Sequence, residues 1–308
     1  MKSHQIITLT LNPSLDKSTH FTGLIPEQKI RCEKPHYDAG GGGINVSKAI
    51  SKLGGNSLCI FTSGGSSGKM LEELVQKDTI ESKVIPTQNW TRENFIAFEN
   101  ETKAQYRFGF PGNELMDDEK QSLIEIIKGI KSEYLVISGS LNKGLTGEYY
   151  QKIVEIATFS GIKVIVDTSG EGLQKVLETG VYLIKPNIGE LAKLIGVTRL
   201  DINEVTTAAK TLIEKGCAEI IVVSLGPEGG ILVTKDQTEY VKAPKAEKKS
   251  TVGAGDSMVG GMVWALSQNK SLQEVIRWGI ACGTAATMNE GTQLFKREDV
   301  VKLLHEMS

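Results

Sequence analysis

The run Ser250-Thr251-Val252-Gly253-Ala254-Gly255-Asp256-Ser257 leads straight into an apolar stretch that begins at Met258. Residues this small let backbone N–H groups converge where a helix begins, and the helix dipole adds to their pull on an anion. Asp256 falls in the first turn of that helix, beside the anion that Gly253, Ala254 and Gly255 would hold. A carboxylate in that place can accept a proton from an attacking hydroxyl. An acidic first-turn residue also serves as a plain cap, but the length of this run and its companions favour chemistry.

The companions are three. Gly40-Gly41-Gly42-Gly43-Ile44-Asn45 offers bare backbone for close approach of a ligand at a helix start. Asn45 adds a donor and an acceptor suited to sugar hydroxyls. Lys185-Pro186-Asn187-Ile188-Gly189-Glu190 follows a strand pattern and has two readings. Asn187 and Glu190 are spaced as a capping box, and equally as holders of hydrated Mg²⁺, which keeps most of its waters. Ser224-Leu225-Gly226-Pro227-Glu228-Gly229 also follows a strand and can contact a nucleotide, although alone it is a turn.

Three motifs fail. Gly40-x-Gly42-x-x-Asn45 and Gly253-x-Gly255-x-x-Met258 lack the last glycine of a dinucleotide fingerprint. Gly68-Lys69 is followed by Met70, not the Ser or Thr of a P-loop. A dehydrogenase and a P-loop enzyme are thereby disfavoured. His4, His20, His36 and His305 show no metal-ligand spacing.

The elements that must position these groups alternate. Strands are expected at 5–12, 57–62, 134–138, 163–167, 182–185 and 219–224, and a hairpin at 230–244. Helices are expected at 44–53, 69–77, 117–131, 146–160, 171–179, 188–195, 202–215, 254–268, 271–287 and 297–307. Short apolar strands between amphipathic helices indicate a mostly parallel sheet covered on both faces, with ligands beyond the carboxyl ends of the strands. Residues 94–98 and 104–108 alternate like a hairpin, and 18–36 look extended. Together they suggest a small β-layer.

The 308 residues suit one large α/β domain with a small appendage. A net charge of −2 makes nucleic acid an unexpected partner. The absence of a signal-peptide pattern, of a long apolar run, and of paired cysteine motifs around Cys32, Cys59, Cys217 and Cys282 points to a reduced cytoplasm and no membrane.

Taken together, the segments at 40–45, 187–190 and 253–256 resemble, in order and spacing, the PfkB family of ribokinase-fold sugar kinases. The resemblance covers nearly the whole chain. Thr8-Leu9-Thr10-Leu11-Asn12-Pro13-Ser14-Leu15-Asp16, Trp90-Thr91-Arg92, Gln105-Tyr106-Arg107-Phe108 and Val136-Ile137-Ser138-Gly139-Ser140-Leu141 are similar to its 6-phosphofructokinase branch. The fold implied is a three-layer α/β/α sandwich, one domain over 1–308, with a β-lid from about 17–37 and 84–111. The activity implied is ATP-dependent phosphorylation of fructose 6-phosphate at its C1 hydroxyl.

The resemblance also implies roles. Asp256 is the base, and the N–H groups of Gly253, Ala254 and Gly255 stabilise the transferring phosphoryl. Asp16, Gly41, Gly42, Asn45 and Ser140 bind the sugar, while Lys29, Arg92 and Arg31 take its 6-phosphate. Lys185, Asn187, Ser224, Gly226 and Gly229 line the ATP site, and Asn187 and Glu190 serve Mg²⁺. Ser250, Val252, Ala286, Asn289 and Gly291 match a monovalent-cation site suited to K⁺. A homodimer through the lid is expected. The related 1-phosphofructokinases and tagatose-6-phosphate kinases usually carry Lys where Gly42 stands, which tilts the reading to fructose 6-phosphate. Those two kinases remain the neighbouring alternatives. A non-catalytic nucleotide or sugar sensor is the alternative from another class, and the intact Asp256 and Glu190 count against it.

Overall fold

A computed structural model describes residues 4–289 and 293–307. The chain enters through β1 (Ile6–Thr10), β2 (Ser14–Phe21), β3 (His36–Gly40), α1 (Gly42–Lys52), β4 (Leu58–Ser63), α2 (Gly65–Lys77) and β5 (Ser82–Pro86). It continues through β6 (Arg92–Glu99), β7 (Gln105–Gly109), α3 (Asp117–Gly129), β8 (Tyr134–Ser138), α4 (Gly147–Phe159) and β9 (Lys163–Asp167). Next come α5 (Gly170–Thr179), β10 (Val181–Ile184), α6 (Ile188–Leu194), α7 (Val205–Glu214), β11 (Ala218–Ser224), β12 (Gly230–Val233) and β13 (Thr238–Val241). The last helices are α8 (Ala254–Ser267), α9 (Leu272–Thr287) and α10 (Arg297–Glu306).

Nine strands form one sheet in the order β13-β12-β11-β10-β9-β8-β1-β4-β5. The strands from β11 to β5 are parallel, and β12 and β13 run antiparallel at one edge. Alternation along the strands feeds two cores. Ile7, Leu9, Leu135, Ile137, Val164 and Val166 meet Leu123, Tyr150, Leu173 and Leu191 of α3 to α6 on one face. Ile6, Val136, Ile165 and Val222 meet Val46, Val259, Met262 and Ile276 of α1, α8 and α9 on the other. The result is the expected three-layer sandwich. From β1 the chain moves outward to β4 on one side and later returns to place β8 on the other. The crevice at the ends of β1 and β8 is thus a topological switch point, where such sheets bind ligands.

The second sheet, β3-β2-β6-β7, is the lid. Its strands differ from the expected extended segments. Residues 22–35 form a loop outside the sheet, held to β2 by a Phe21–Cys32 bridge, by Glu33 N–H donating to His20 O (2.9 Å) and by Thr19 Oγ1 donating to Glu33 O (2.8 Å). Residues 84–86 belong to the main sheet, because Val84 and Ile85 pair with Phe61 and Thr62 of β4. Helix α2 starts at Gly65, four residues before the expected 69. Its Gly-Ser-Ser-Gly opening reads locally as a loop, but tertiary bonds hold it: Thr91 N–H donates to Gly64 O (2.8 Å) and Ser67 Oγ donates to Thr91 O (2.6 Å). No helix of the described residues is long and apolar enough to cross a membrane.

Candidate active site

Gly253 caps α8 in the left-handed region, φ 72°, where a side chain would be strained and would lie 2.6 Å from Leu294 Cδ2. The Gly255 and Asp256 N–H groups fall in the first turn, before any intrahelical partner exists for them. The Ala254 N–H is turned toward Thr251 O at 3.4 Å, so it is less free than the sequence suggests. Asp256 Oδ2 accepts a 2.8 Å hydrogen bond from Asn45 Nδ2. Burial, seconded by the charge of Asp167, pushes the Asp256 carboxyl up to about 6; Asn45, Lys185 and Ser138 oppose that rise. A base poised near neutrality is matched to proton abstraction from an alcohol.

Asn45 is delivered by α1, whose N-terminus docks on the ends of β1 and β8. The glycines there are required by the protein itself. A Cβ on Gly42 would lie 2.1 Å from Ser138 Oγ, and one on Gly43 would lie 2.5 Å from Thr10 Oγ1. Gly41 has φ 128°, and a Cβ there would meet Thr10 Cγ2 at 2.8 Å. The close approach expected of a ligand is made, at these positions, by strand ends. Asn45 is 6% exposed, and its Oδ1 is buried with no partner among the described residues, leaving an acceptor beside the Asp256 carboxyl.

The lid brings the next group in. Asp16 of β2 sits over Gly40, whose Cβ would lie 2.4 Å from Asp16 Oδ2. Asp16 Oδ1 accepts from Ser14 Oγ (2.7 Å) and Asn94 Nδ2 (2.8 Å). Burial raises its carboxyl above the usual range, while Ser14, Asn94 and Arg92 pull the other way. Arg92 donates to Asn12 O (3.3 Å) and Asn94 Oδ1 (3.3 Å), and burial lowers its pKa against the pull of Asp16. Asn12 Nδ2 donates to Ser140 Oγ (3.0 Å), tying the loop after β8 to the same cluster. Lys29 and Arg31 are not brought to it. They line a separate cleft of the 22–35 loop with Phe21, Gln28, Glu33 and Asn100.

On the other side of Asp256, Lys185 is 7% exposed and pairs with Asp167 at 3.1 Å. Burial alone would lower its pKa, but Asp167, Asp256 and Glu190 together raise it. Its Nζ lies 3.6 Å from where a Gly255 Cβ would stand, so the ammonium faces the first turn of α8. Asn187 and Glu190 form the capping box: Asn187 Oδ1 accepts from Glu190 N–H, and Glu190 Oε2 accepts from Asn187 N–H, both 2.9 Å. Ser224 bridges to Asn187, its N–H donating to Pro186 O at 3.0 Å. Gly226 has open space about it, whereas a Cβ on Gly229 would lie 2.0 Å from Val241 O. Gly229 is therefore glycine for the β12–β13 hairpin.

The cation candidates converge in part. Residues 249–252 lie against the end of α9, with Lys249 and Ser250 N–H both donating to Thr287 O (2.8 and 3.2 Å). Ser250 Oγ accepts from Val252 N–H, and Ala286 O from Asn289 N–H. Gly291 lies outside the described residues.

Three residues of this site escaped the sequence reading: Asn12, Asn94 and Asp167. Asp167 carried a signal, since it ends a buried strand where open sheets bind ligands. Asn94 carried none, because its role depends on lid register, Asp16 opposite Asn94.

The model of the pfkB family of carbohydrate kinases matches residues 9–299. The ATP-dependent 6-phosphofructokinase isozyme 2 of Escherichia coli strain K12 is 41% identical over 306 residues, 99% of each chain. Two solved structures of phosphofructokinase-2 from E. coli cover 99% of both chains. One, in complex with potassium, has TM-score 0.95 at 41% identity; one, in complex with fructose-6-phosphate, has TM-score 0.93 at 39% identity. The chain belongs to the pfkB family of carbohydrate kinases, with the ribokinase-like fold.

Proposed function

We propose that the protein is a 6-phosphofructokinase that transfers the γ-phosphoryl of ATP to the C1 hydroxyl of fructose 6-phosphate. The observation that carries this reading is the half-buried Asp256, bonded to Asn45 and flanked by Lys185. The near full-length match to a curated 6-phosphofructokinase supports the choice of substrate.

In this reading the C1 oxygen attacks the γ-phosphorus while Asp256 takes the hydroxyl proton, and the bond to the β–γ bridging oxygen breaks, releasing ADP. The first-turn N–H groups of α8 and the Lys185 ammonium neutralise charge on the transferred group. Such positioning and charge stabilisation supply most of what phosphoryl transfer needs. Asn45 and Asp16 hold the sugar hydroxyls. Arg92, already turned to the lid base, takes the 6-phosphate, with Ser140 beside it and Lys29 and Arg31 as outlying cations. Asn187, Ser224, Gly226 and Gly229 border the nucleotide.

Magnesium, which neutralises phosphate charge when bound, suits Glu190. One of its oxygens is spent on the cap, and the other is left for a water of the ion. Ser250, Val252, Ala286 and Asn289 are the candidates around K⁺. A homodimer through the lid is supported by its exposed apolar residues Leu24, Ile25, Phe108 and Phe110. A cytoplasmic setting suits the four free thiols.

An ADP-release assay with ATP and Mg²⁺ tests the reading against fructose 6-phosphate, tagatose 6-phosphate, fructose 1-phosphate, fructose and ribose. Preference for fructose 6-phosphate is expected. Preference for another phosphosugar keeps the mechanism and removes the substrate. Absence of turnover with retained ligand binding makes the protein a sensor.

A further inference from the structure

The bond between Asn45 and Asp256 joins two helices, α1 and α8, that both start at the crevice and run away from it. Four residues further along each helix, on the same face, stand Ala49 and Gly260. A Cβ on Gly260 would lie 2.5 Å from Ala49 Cβ and 3.2 Å from Val46 O. The next step along carries Leu53 and Trp264, which pack in one cluster, with Trp264 Cδ1 2.7 Å from where a Gly55 Cβ would stand. The catalytic contact is thus the first rung of a helix pair, and its second rung is the closest approach that two backbones with one methyl between them allow.

That spacing bears on both ends of the Asn45 amide. Asn45 presents Nδ2 to Asp256, and its Oδ1 is buried with no partner among the described residues. One side chain therefore orients the base and keeps an acceptor for the reacting sugar, and both functions depend on where α1 sits relative to α8. The opposite flank of α8 cannot yield easily. A Cβ on Gly261 would lie 2.7 Å from Cys282 Sγ and 2.8 Å from Trp278 O of α9. Any push from α1 is met by a helix already in contact.

We propose that Gly260 and Ala49 are positioning residues, a spacer that sets the distance between Asn45 on α1 and Asp256 on α8 and so holds the base in reach of the substrate hydroxyl. This rests on the kinase reading above. The spacer is shared between the helices: what matters is one methyl at the second rung, whichever helix carries it.

The test is a methyl exchange, read by steady-state kinetics on fructose 6-phosphate. In Gly260→Ala the helices must part by about 1 Å to restore ordinary contact, a misplacement that costs about 10- to 100-fold in kcat. The KM for ATP stays within about twofold, because the nucleotide loops are untouched. The double variant Ala49→Gly with Gly260→Ala moves the methyl across the rung and should recover kcat to within about threefold of the parent. A purely structural lesion would lower the melting temperature and leave kcat per folded enzyme unchanged. Parent-like kcat in Gly260→Ala overturns the spacer. So does a double variant that is folded by thermal melt yet as slow as the single, or one that fails to fold. If Gly260→Ala itself does not fold, Ala49→Gly, which lets the helices close up without adding an atom, is read instead: a lowered kcat in the folded variant supports the spacer, and a parent-like kcat refutes it. The parent enzyme is assayed alongside. No turnover by the parent counts against the kinase reading, whereas an active parent with an indifferent Gly260→Ala counts against the spacer only.

Discussion

Replacing Asp256 by Asn should make the protein more stable and nearly inactive, and the stability gain should depend on pH. Burial and the Asp167 charge raise the Asp256 carboxyl from 3.8 to about 6. The folded state therefore binds this proton more tightly than the unfolded chain does. The stability that the proton confers is complete below about 3.8 and is lost as pH rises through about 6. The interval corresponds to about 3 kcal/mol that the ionised enzyme forgoes at neutral pH. Asn has the same shape and no charge. Asn45 can also turn its unpartnered Oδ1 toward the new amide, so the pair remains bonded. Urea unfolding at pH 8 should show Asp256→Asn more stable by about 1–3 kcal/mol, and the gap should close as pH falls toward 4. In the same variant kcat should fall by at least ~10²-fold, the usual scale for losing a general base. The parent's own kcat should decline on the acid side with a midpoint near 6. A gap of the same size at pH 4 and pH 8, or near-normal turnover, would refute the assignment of a strained, working carboxylate.

Other perturbations probe the surroundings. Arg92→Ala should raise KM for fructose 6-phosphate by about 10- to 100-fold, the loss of one charge-assisted bond, with a smaller effect on kcat; an unchanged KM removes Arg92 from the phosphate site. Asp167→Asn removes a charge that raises the Asp256 pKa and frees Lys185 to approach it, so the acid limb of the kcat profile should move to lower pH. A shift to higher pH would mean that the Asp167–Lys185 pair acts otherwise. Gly42→Ala should lower stability by about 1–3 kcal/mol in thermal melts, because its Cβ would lie 2.1 Å from Ser138 Oγ. A neutral result there would show that the end of β8 yields.

The layered fold was legible because strand burial and helix periodicity speak locally. The strands 134–138 and 163–167 coincide with Tyr134–Ser138 and Lys163–Asp167 residue for residue. The lid was legible only as alternation. Which pieces pair depends on long-range register, so the 22–35 loop and β5 were both drawn into it. Within the site, Asp256 and Asn45 could be named from glycine-rich motifs, and Asp16 and Arg92 from the family resemblance; the first two are hydrogen-bonded to each other, and the second two meet at Asn94. Asp167 was missed although its place at the end of a buried strand marked it, and Asn94 could not be named, since an amide in a hairpin looks the same wherever it occurs. The capping box of Asn187 and Glu190 shows a different limit. Spacing offered cap or metal, and the geometry shows the cap made with one carboxylate oxygen to spare.

The loop that joins β2 to β3 carries Cys32, and it is exposed. The remaining thiols are shielded: Cys59 and Cys282 are buried, burial pushes the Cys59 thiol up to about 11, and Cys217 is half-covered and also raised. Thiolate is the reactive form, so a maleimide dye at neutral pH should find Cys32 first. The unaltered protein thus carries its own attachment point for a fluorophore on the lid, and lid movement during turnover could be followed by anisotropy or energy transfer without engineering a single residue.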